Sequence, residues 1–359
     1  MSGIWGKNIK FSIFGESHGK GIGIVIDGIK PGLKLDEEYI KFEMSRRAPG
    51  KNSFSTPRNE ADSFQILSGI FNEYTTGAPL CAFIENTNQH SKDYGKLKDL
   101  MRPSHADYPG FIKYEGFNDY RGGGHFSGRL TAALVFAGAV CKQILSKDNI
   151  KIGSHILSIG NVKDSYFDKV NVQFETLDLL NKSEFPVLDE NISEMMKSEI
   201  LKAKEDLDSI GGIVETAVIN LNAGLGSPFF DSVESNLAHI LFSVPAVKGV
   251  EFGEGFDISK MRGSEANDEY YIEDGKVKTY TNNNGGILGG ITNGMPIILR
   301  TAFKPTPSIS QNQRTIDISR MEDAELEVKG RHDPCIVLRA VPVVEAVTAM
   351  AIVDLLYEK

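Results

Sequence analysis

The sequence predicts a single domain that mixes α-helices and β-strands without strict alternation. Apolar residues recur with both helical and strand spacing, and no Pro/Ser-rich linker divides residues 1–359. A chain of 359 residues can bury about three quarters of the surface that it exposes when unfolded. With 41% hydrophobic and 24% charged residues, the composition is that of a globular protein and excludes disorder as the main state.

Five short apolar runs predict β-strands. They cover residues 10–14, 22–26, 80–85, 213–221 and 296–303. The third run follows the turn at 76–79, whose glycine and proline cannot continue a strand, and we expect it to be buried.

Five segments with apolar residues every three or four positions predict α-helices. They cover residues 36–47, 130–145, 192–210, 237–244 and 343–356. Asp36 is the expected N-cap of the first helix, which should stop at Pro49 and Gly50. The second is apolar on nearly every side, so it should lie in the centre of the core. Gly211 and Gly212 should end the third.

A local repeat connects the two halves of the chain. ILSGI at 66–70 and TGAP at 76–79 resemble ILGGI at 287–291 and NGMP at 293–296. Two halves of similar local design would explain the repeat, and so would the frequent use of Gly-x-Pro turns before apolar strands. The sequence leaves both explanations open.

Charge and apolar patterning exclude several classes of partner. Lys plus Arg number 39 and Asp plus Glu 48, and the net charge of −9 argues against nucleic acid, which needs a basic face. No apolar run approaches the ~20 residues of a membrane helix. The first residues lack the order of a signal peptide, so we expect a cytoplasmic protein with no membrane partner.

Cysteine and histidine spacing argues against disulfides and metals. Cys81, Cys141 and Cys335 are odd in number and far apart. The seven histidines include no close pair. We therefore expect a reducing compartment and no bound metal.

Arginine usage indicates an anionic ligand. Several arginines lie beside glycine or proline in predicted loops, where a planar guanidinium can bind carboxylate or phosphate through two hydrogen bonds. These are Arg46, Arg47, Arg102, Arg121, Arg129 and Arg331. The sequence therefore predicts a polyanionic small molecule as the ligand.

Histidines stand in four segments, three of which also contain arginines of this set. They are GESHG at 15–19, RPSHAD at 102–107, RGGGHFSGR at 121–129 and GRHDPC at 330–335. The third segment leads into the apolar helix, and glycine-rich backbone at a helix N-terminus is suited to an anion. Together the segments predict a site that binds several negative charges and transfers protons near neutral pH.

Two other functions are compatible with parts of this pattern. GESHG matches the G-x-S-x-G nucleophile elbow, so a serine hydrolase could use Ser17, with Asp107 and His125 as nominal partners. An elbow needs a following helix, but a second strand follows here. A non-catalytic protein that binds a phosphorylated ligand is the other alternative.

Seven ordered motifs resemble the chorismate synthase family from end to end. They are GESHG at 15–19, RRAPG at 46–50, RPSHAD at 102–107, RGGGHFSGR at 121–129, GGILGGITNG at 285–294, KPTPSI at 304–309 and GRHDPC at 330–335. The resemblance implies an α+β fold with central helices sandwiched between antiparallel sheets, assembled as a homotetramer. It also implies a lyase that removes phosphate from 5-enolpyruvylshikimate 3-phosphate by anti 1,4-elimination, giving chorismate. The reaction requires reduced FMN without net redox change, and NADPH is a candidate reductant of the flavin.

The resemblance assigns roles to individual residues. His18 would protonate the departing phosphate, His105 would lie by the pyrimidine edge of the reduced flavin, and Asp333 would assist proton removal at its N5. The implied substrate-binding residues are Arg47, Arg102, Ser127, Arg129 and Arg331. The implied cofactor-binding residues are Arg47, His125, Phe126, Ser127, Ala246, Gly289, Lys304, Pro305, Thr306, Pro307, Ser308 and Arg331.

Five positions differ from the common family pattern. His125 and Phe126 stand where many relatives have Arg-Ser, and Pro245 and Asn283 stand where Asn and His are frequent. Ser53 lies where some members place an arginine that contacts NADPH. These differences bear on the affinity for FMN and NADPH.

Overall fold

The structure, a computed structural model, describes residues 3–48, 62–87, 98–328 and 333–358. In chain order the strands are β1 Ile4–Trp5, β2 Lys10–Gly15, β3 Gly21–Asp27, β4 Phe64–Ser68, β5 Ile70–Phe71, β6 Tyr74–Thr75, β7 Leu80–Glu85, β8 Lys151–Ile159, β9 Val162–Lys163, β10 Gly212–Ile219, β11 Val247–Phe252, β12 Tyr270–Glu273, β13 Lys276–Thr279, β14 Ile287–Leu288, β15 Ile291–Thr292, β16 Ile297–Phe303, β17 Gln313–Asp317 and β18 Glu322–Leu326. The helices are α1 Glu37–Arg47, α2 Asp107–Lys113, α3 Thr131–Ser146, α4 Phe174–Lys182, α5 Glu190–Glu205, α6 Val233–Ser243, α7 Gly263–Ala266 and α8 Val337–Leu356.

Two five-stranded antiparallel sheets organise these elements. The first has the order β1-β2-β3-β7-β4, and the second has the order β11-β16-β10-β8-β9. Every neighbouring pair within both sheets is antiparallel. The remaining strands form two-stranded hairpins at the periphery.

Two long helices fill the space between the sheets. α3 packs against β2, β3 and β7 of the first sheet, and α8 packs against β8 and β10 of the second. The two helices also pack on each other, and a Cβ on Gly138 of α3 would lie 2.2 Å from the Cβ of Ala346 in α8. The prediction of central helices between antiparallel sheets is confirmed. The structure likewise places α3 in the core, as its apolar pattern predicts.

α3 also belongs to the one segment, among the described residues, that is long and apolar enough to cross a membrane. This segment, Gly128–Ser146, has 78% of its most apolar window buried inside the fold. Its apolar surface is therefore covered by the sheets and by α8.

The predicted elements are found, and three helix bounds differ from the prediction by four residues or more. The helix predicted over 192–210 ends at Glu205, because Leu207 has a left-handed backbone (φ 56°) and Asp208 donates to the carbonyl of Ala203. Gly211 and Gly212 lie beyond this end.

α6 and α8 both begin earlier than predicted. Ser232 caps α6, its hydroxyl accepting the N–H of Ser235 at 3.0 Å, so the helix starts four residues before 237. α8 begins at Val337 and contains Pro342. The predicted helix began one residue after this proline, but a proline near a helix start removes few hydrogen bonds.

The two repeated segments occupy different positions. Residues 66–68 belong to β4, which pairs with β7, whereas 287–288 pair with 291–292 in a separate hairpin. In both halves the following Gly-x-Pro turn leads into an inner strand of a five-stranded sheet. The internal repeat therefore stays a prediction.

Candidate active site

A cavity of about 800 Å³ opens where the β2–β3 turn, the N-terminal ends of α3 and α8, and the C-terminal end of α6 converge. Its wall contains most of the residues that the sequence predicts for the site. These are His18, Arg47, Arg102, His105, His125, Phe126, Ser127, Arg129, Ala246, Lys304, Thr306, Pro307, Ser308 and Asp333. Residues more than 300 positions apart in sequence thus share one cavity.

Three predicted residues are not in this wall. Pro305 is exposed between Lys304 and Thr306. Gly289 lies in the β14–β15 turn, beside the N-terminal end of α6, whereas the cavity adjoins the C-terminal end of this helix. Because α6 has 11 residues, its two ends are about 16 Å apart. Arg331 lies outside the described residues, as do Ser53 and the stop predicted at Pro49 and Gly50.

The glycine-rich loop at 121–129 supports two imidazoles. Gly122 and Gly123 both have left-handed backbone, with φ of 58° and 90°. A Cβ on Gly122 would lie 2.1 Å from Cε1 of His18, and one on Gly123 would lie 3.2 Å from Nε2 of His105. Because adjacent Cα atoms are about 3.8 Å apart, the two rings contact neighbouring points of one loop. At position 122, only glycine can adopt the left-handed backbone and also leave the space that the His18 ring occupies.

The hydrogen bonds of this loop do not support the serine hydrolase alternative. GESHG joins the antiparallel strands β2 and β3, with no helix after it. Ser17 Oγ lies 3.1 Å from Nδ1 of His18, but His125 contacts the carbonyl of Gly15, and Asp107 contacts Arg102 and His105. Within the described residues, neither nominal partner reaches Ser17, so this interpretation was wrong.

Asp62 connects two of the predicted arginines. Its Oδ2 accepts from Nε of Arg47 at 2.9 Å, and its Oδ1 accepts from Arg129. Burial opposes ionisation of Asp62, but the two guanidinium groups outweigh it and hold its pKa below the ordinary value. Burial lowers the pKa of Arg47 to about 10, so Arg47 still carries its charge near neutral pH.

A second carboxylate anchors the RPSHAD segment. Asp107 accepts from Nε of Arg102 at 2.7 Å and lies 2.6 Å from Nδ1 of His105. Burial would raise the pKa of Asp107, but the hydrogen bonds from His105 and Arg102 hold it well below its usual range.

Arg339 connects the GRHDPC segment to α1. Its Nη1 donates to Oδ2 of Asp333 at 2.5 Å, and its Nε donates to the carbonyl of Arg47 at 3.1 Å. Arg339 lies in the first turn of α8 and also forms part of the cavity wall. Asp333 is thereby fixed in orientation at the cavity.

Comparison with known proteins agrees with this arrangement. A model of the family described as chorismate synthase matches residues 9–357. The chain belongs to the chorismate synthase family.

The similarity extends over whole chains. A chorismate synthase of Pyrococcus abyssi is 51% identical over 350 residues, covering 97% of this chain and 96% of the relative. One from Methanobrevibacter smithii is 46% identical over 356 residues, covering 99% and 96%. A solved structure described as a crystal structure of chorismate synthase is 33% identical, has a TM-score of 0.77 and covers 99% of this chain and 93% of that chain.

The charge of the cavity is positive in this chorismate synthase family member, although its net charge is −9. Among the described residues, six cationic side chains line the wall and three carboxylates contact them. The cationic set is Arg47, Arg102, Arg129, Lys248, Lys304 and Arg339, and the acidic set is Asp62, Asp107 and Asp333. Such an excess attracts a polyanionic ligand.

Sequence reasoning missed two residues of this site and gave a third another role. Asp107 was named only as a nominal partner of Ser17, although its motif neighbours Arg102 and His105 were the available signal. Arg339 lay outside the helix as it was predicted, and no motif surrounds Asp62. The contacts of these last two residues depend on the tertiary fold.

Proposed function

We propose that this protein is a chorismate synthase that eliminates phosphate from 5-enolpyruvylshikimate 3-phosphate to give chorismate. In the anti 1,4-elimination, the C–O bond to phosphate breaks, a ring C–H bond breaks and a second ring double bond forms. The observation that carries the proposal is the convergence of His18, His105 and Asp333 on one cavity with three of the predicted arginines, Arg47, Arg102 and Arg129.

The cavity has features that fit FMN. The wall includes the apolar residues Leu134, Val247 and Phe303, against which a flavin ring can pack, and the cation Lys304. The buried hydroxyl oxygen of Thr306 has no hydrogen-bond partner among the described residues, so it can bond a polar ligand atom. When bound, reduced FMN would supply electron density as phosphate leaves and recover it as the hydrogen departs.

The protein's own residues bind anions and transfer protons in this proposal. Arg47 and Arg129 are held by Asp62 facing the cavity, where they bind carboxylate or phosphate of the substrate. His18, almost buried at 8% exposure, protonates the departing phosphate. Asp333, held by Arg339, assists proton removal from the ring.

Assembly, location and reductant are further parts of the proposal. We infer a homotetramer, supported by large apolar side chains such as Phe229 and Phe230 that are 86% and 93% exposed in the single chain. Sedimentation should then give four times the chain mass.

Three free cysteines support a cytoplasmic location. NADPH oxidation in the presence of FMN would show whether the protein reduces its own flavin.

An anaerobic assay tests the proposed reaction. Phosphate and chorismate should appear in equal amounts with reduced FMN and should be absent with oxidised FMN.

His18→Ala should lower turnover by about 10²–10⁴, the usual contribution of a positioned proton donor. Arg129→Ala should weaken substrate binding by about 2–5 kcal/mol, because its guanidinium is almost buried.

The assay also separates the alternatives. The exposed Arg320→Ala variant is the control and should keep normal turnover. Binding of substrate without phosphate release would support the non-catalytic binding protein. Phosphate release at equal rates without flavin would contradict the proposed mechanism.

A further inference from the structure

Asp107 lies between a predicted catalytic histidine and a predicted substrate-binding arginine. Its Oδ2 accepts the backbone N–H of Arg102 at 3.1 Å and the Nε–H at 2.7 Å, while its Oδ1 accepts from Nη2 at 2.8 Å. The same Oδ1 is 2.6 Å from Nδ1 of His105. Only 10% of the Asp107 side chain is exposed, so water offers little competition.

These contacts determine which ring nitrogen of His105 carries a proton. The ionised Asp107 can only accept hydrogen bonds, so the 2.6 Å contact requires a proton on Nδ1. Nη2 of Arg102, 3.2 Å from the same Nδ1, is then a second donor and makes no hydrogen bond there. The other nitrogen, Nε2, lies next to Gly123 at the cavity.

We infer that Asp107 is a positioning residue that fixes the tautomer and the ring orientation of His105, so that Nε2 is presented to the ligand. The inference rests on the proposed function, which places His105 by the pyrimidine edge of reduced FMN. An ionised carboxylate behind Nδ1 also stabilises the positive charge that the ring carries when both nitrogens are protonated and Nε2 donates to an anionic ligand. Reduced flavin carries more negative charge than oxidised flavin, so Asp107 acts mainly on the reduced form.

Equilibrium binding of FMN tests this role without turnover. The dissociation constants of oxidised and reduced FMN are measured anaerobically for the wild type, Asp107→Asn, His105→Ala and the double variant. Asp107→Asn should weaken binding of reduced FMN by roughly tenfold, the effect of one charge-assisted hydrogen bond, and leave oxidised FMN nearly unchanged. In the His105→Ala background, Asp107→Asn should cause no further loss.

Asp119 provides a matched control. It holds Arg121 as Asp107 holds Arg102, accepting from the backbone N at 3.1 Å, from Nε at 2.8 Å and from Nη2 at 2.8 Å. Asp119→Asn should bind both flavin forms as the wild type does. Asp107→Glu keeps the carboxylate, so it should weaken binding of reduced FMN less than Asp107→Asn does and should also leave oxidised FMN nearly unchanged. If Asp107→Asn does not fold, Asp107→Glu alone tests the inference.

The outcomes distinguish this inference from the proposed function. Unchanged binding in the Asp107 variants, equal weakening of both flavin forms, or losses that add to those of His105→Ala would overturn the role of Asp107. Unchanged binding of reduced FMN in His105→Ala would instead contradict the placement of His105.

Discussion

At the scale of single residues, backbone geometry decides where two of the predicted catalytic side chains lie. Gly122 and Gly123 contact the rings of His18 and His105. A Cβ on Gly122 would overlap the His18 ring, and one on Gly123 would force the His105 ring to shift slightly. The motif at 121–129 therefore has two effects: its glycines leave space for the two imidazole rings, and its backbone N–H groups can bind anions.

Gly122→Ala should lower turnover by about 10² or more with the fold retained, because the added methyl group displaces His18 from its position. The control is Gly263→Ala, since a Cβ on Gly263 would meet no described atom within 4 Å. Anaerobic turnover and the unfolding midpoint should be measured for both variants. Normal turnover in Gly122→Ala would show that the position of the His18 ring is unimportant.

The sequence predicted site residues where they stand in recognisable motifs rich in glycine or proline. His18, His105, Arg102 and Arg129 were predicted in this way, and all four line the cavity. Asp62 could not be found, because a carboxylate that joins arginines from α1 and the loop before α3 has no local signature.

At the scale of secondary-structure elements, a buried ionic cluster joins the central helices. Lys142 of α3 donates to Glu43 of α1 at 2.9 Å and to Glu345 of α8 at 2.6 Å. Arg46 of α1 bonds the same two carboxylates at 2.9 and 2.6 Å. Two cations and two anions thus balance in a site that excludes water, directly beside Arg47 of the cavity.

Lys142→Met should destabilise the protein by about 3–5 kcal/mol, because two buried carboxylates would then share one guanidinium. Urea unfolding gives the free energy. Lys147→Met, at the exposed end of the same helix, is the control and should change the free energy of unfolding by less than about 0.5 kcal/mol. A similarly small effect of Lys142→Met would exclude a structural role for the cluster.

The second sheet contains a buried histidine bound by two acids. His155 of β8 lies 3.1 Å from Asp164 and 3.0 Å from Glu215 of β10. Burial would lower the pKa of His155, but the two carboxylates raise it above the ordinary value. The stabilisation from this raised pKa is complete below the unfolded pKa of about 6.5 and is lost as pH rises through the folded value.

His155→Gln should therefore reduce the free energy of unfolding more at about pH 6 than at about pH 9. Urea unfolding of both proteins at the two pH values measures this difference. His239→Gln, which removes a histidine packed edge-on to Trp5, serves as the control and should show no such trend. A His155→Gln effect that is independent of pH would contradict the ionised pairing.

Element prediction worked for continuous apolar runs and amphipathic segments, and it failed for a buried strand whose apolar run is interrupted by polar residues. β7 and α5 have alternating or amphipathic patterns and were found. β8 is buried over nearly its whole length between α8 on one face and α4 and α5 on the other, so its sequence has no period-two pattern. It was not predicted.

At the scale of the whole molecule, distant parts of the chain meet at both the core and the site. Asp354 near the end of α8 accepts the backbone N–H groups of Lys7, Asn8 and Ile9 at 2.7–3.1 Å, which joins the two ends of the described chain. The order of strands in each sheet depends on such long-range contacts, and sequence patterns did not reveal it. The family resemblance implied the layered architecture that the structure shows.

The central claim is that one cavity holds substrate and flavin together. A crystal structure with FMN and 5-enolpyruvylshikimate 3-phosphate bound tests it most directly. Our account predicts the substrate phosphate beside His18, and the pyrimidine edge of the flavin beside Nε2 of His105. Ligands bound at a separate surface, with the rings of His18 and His105 in contact with neither, would contradict it.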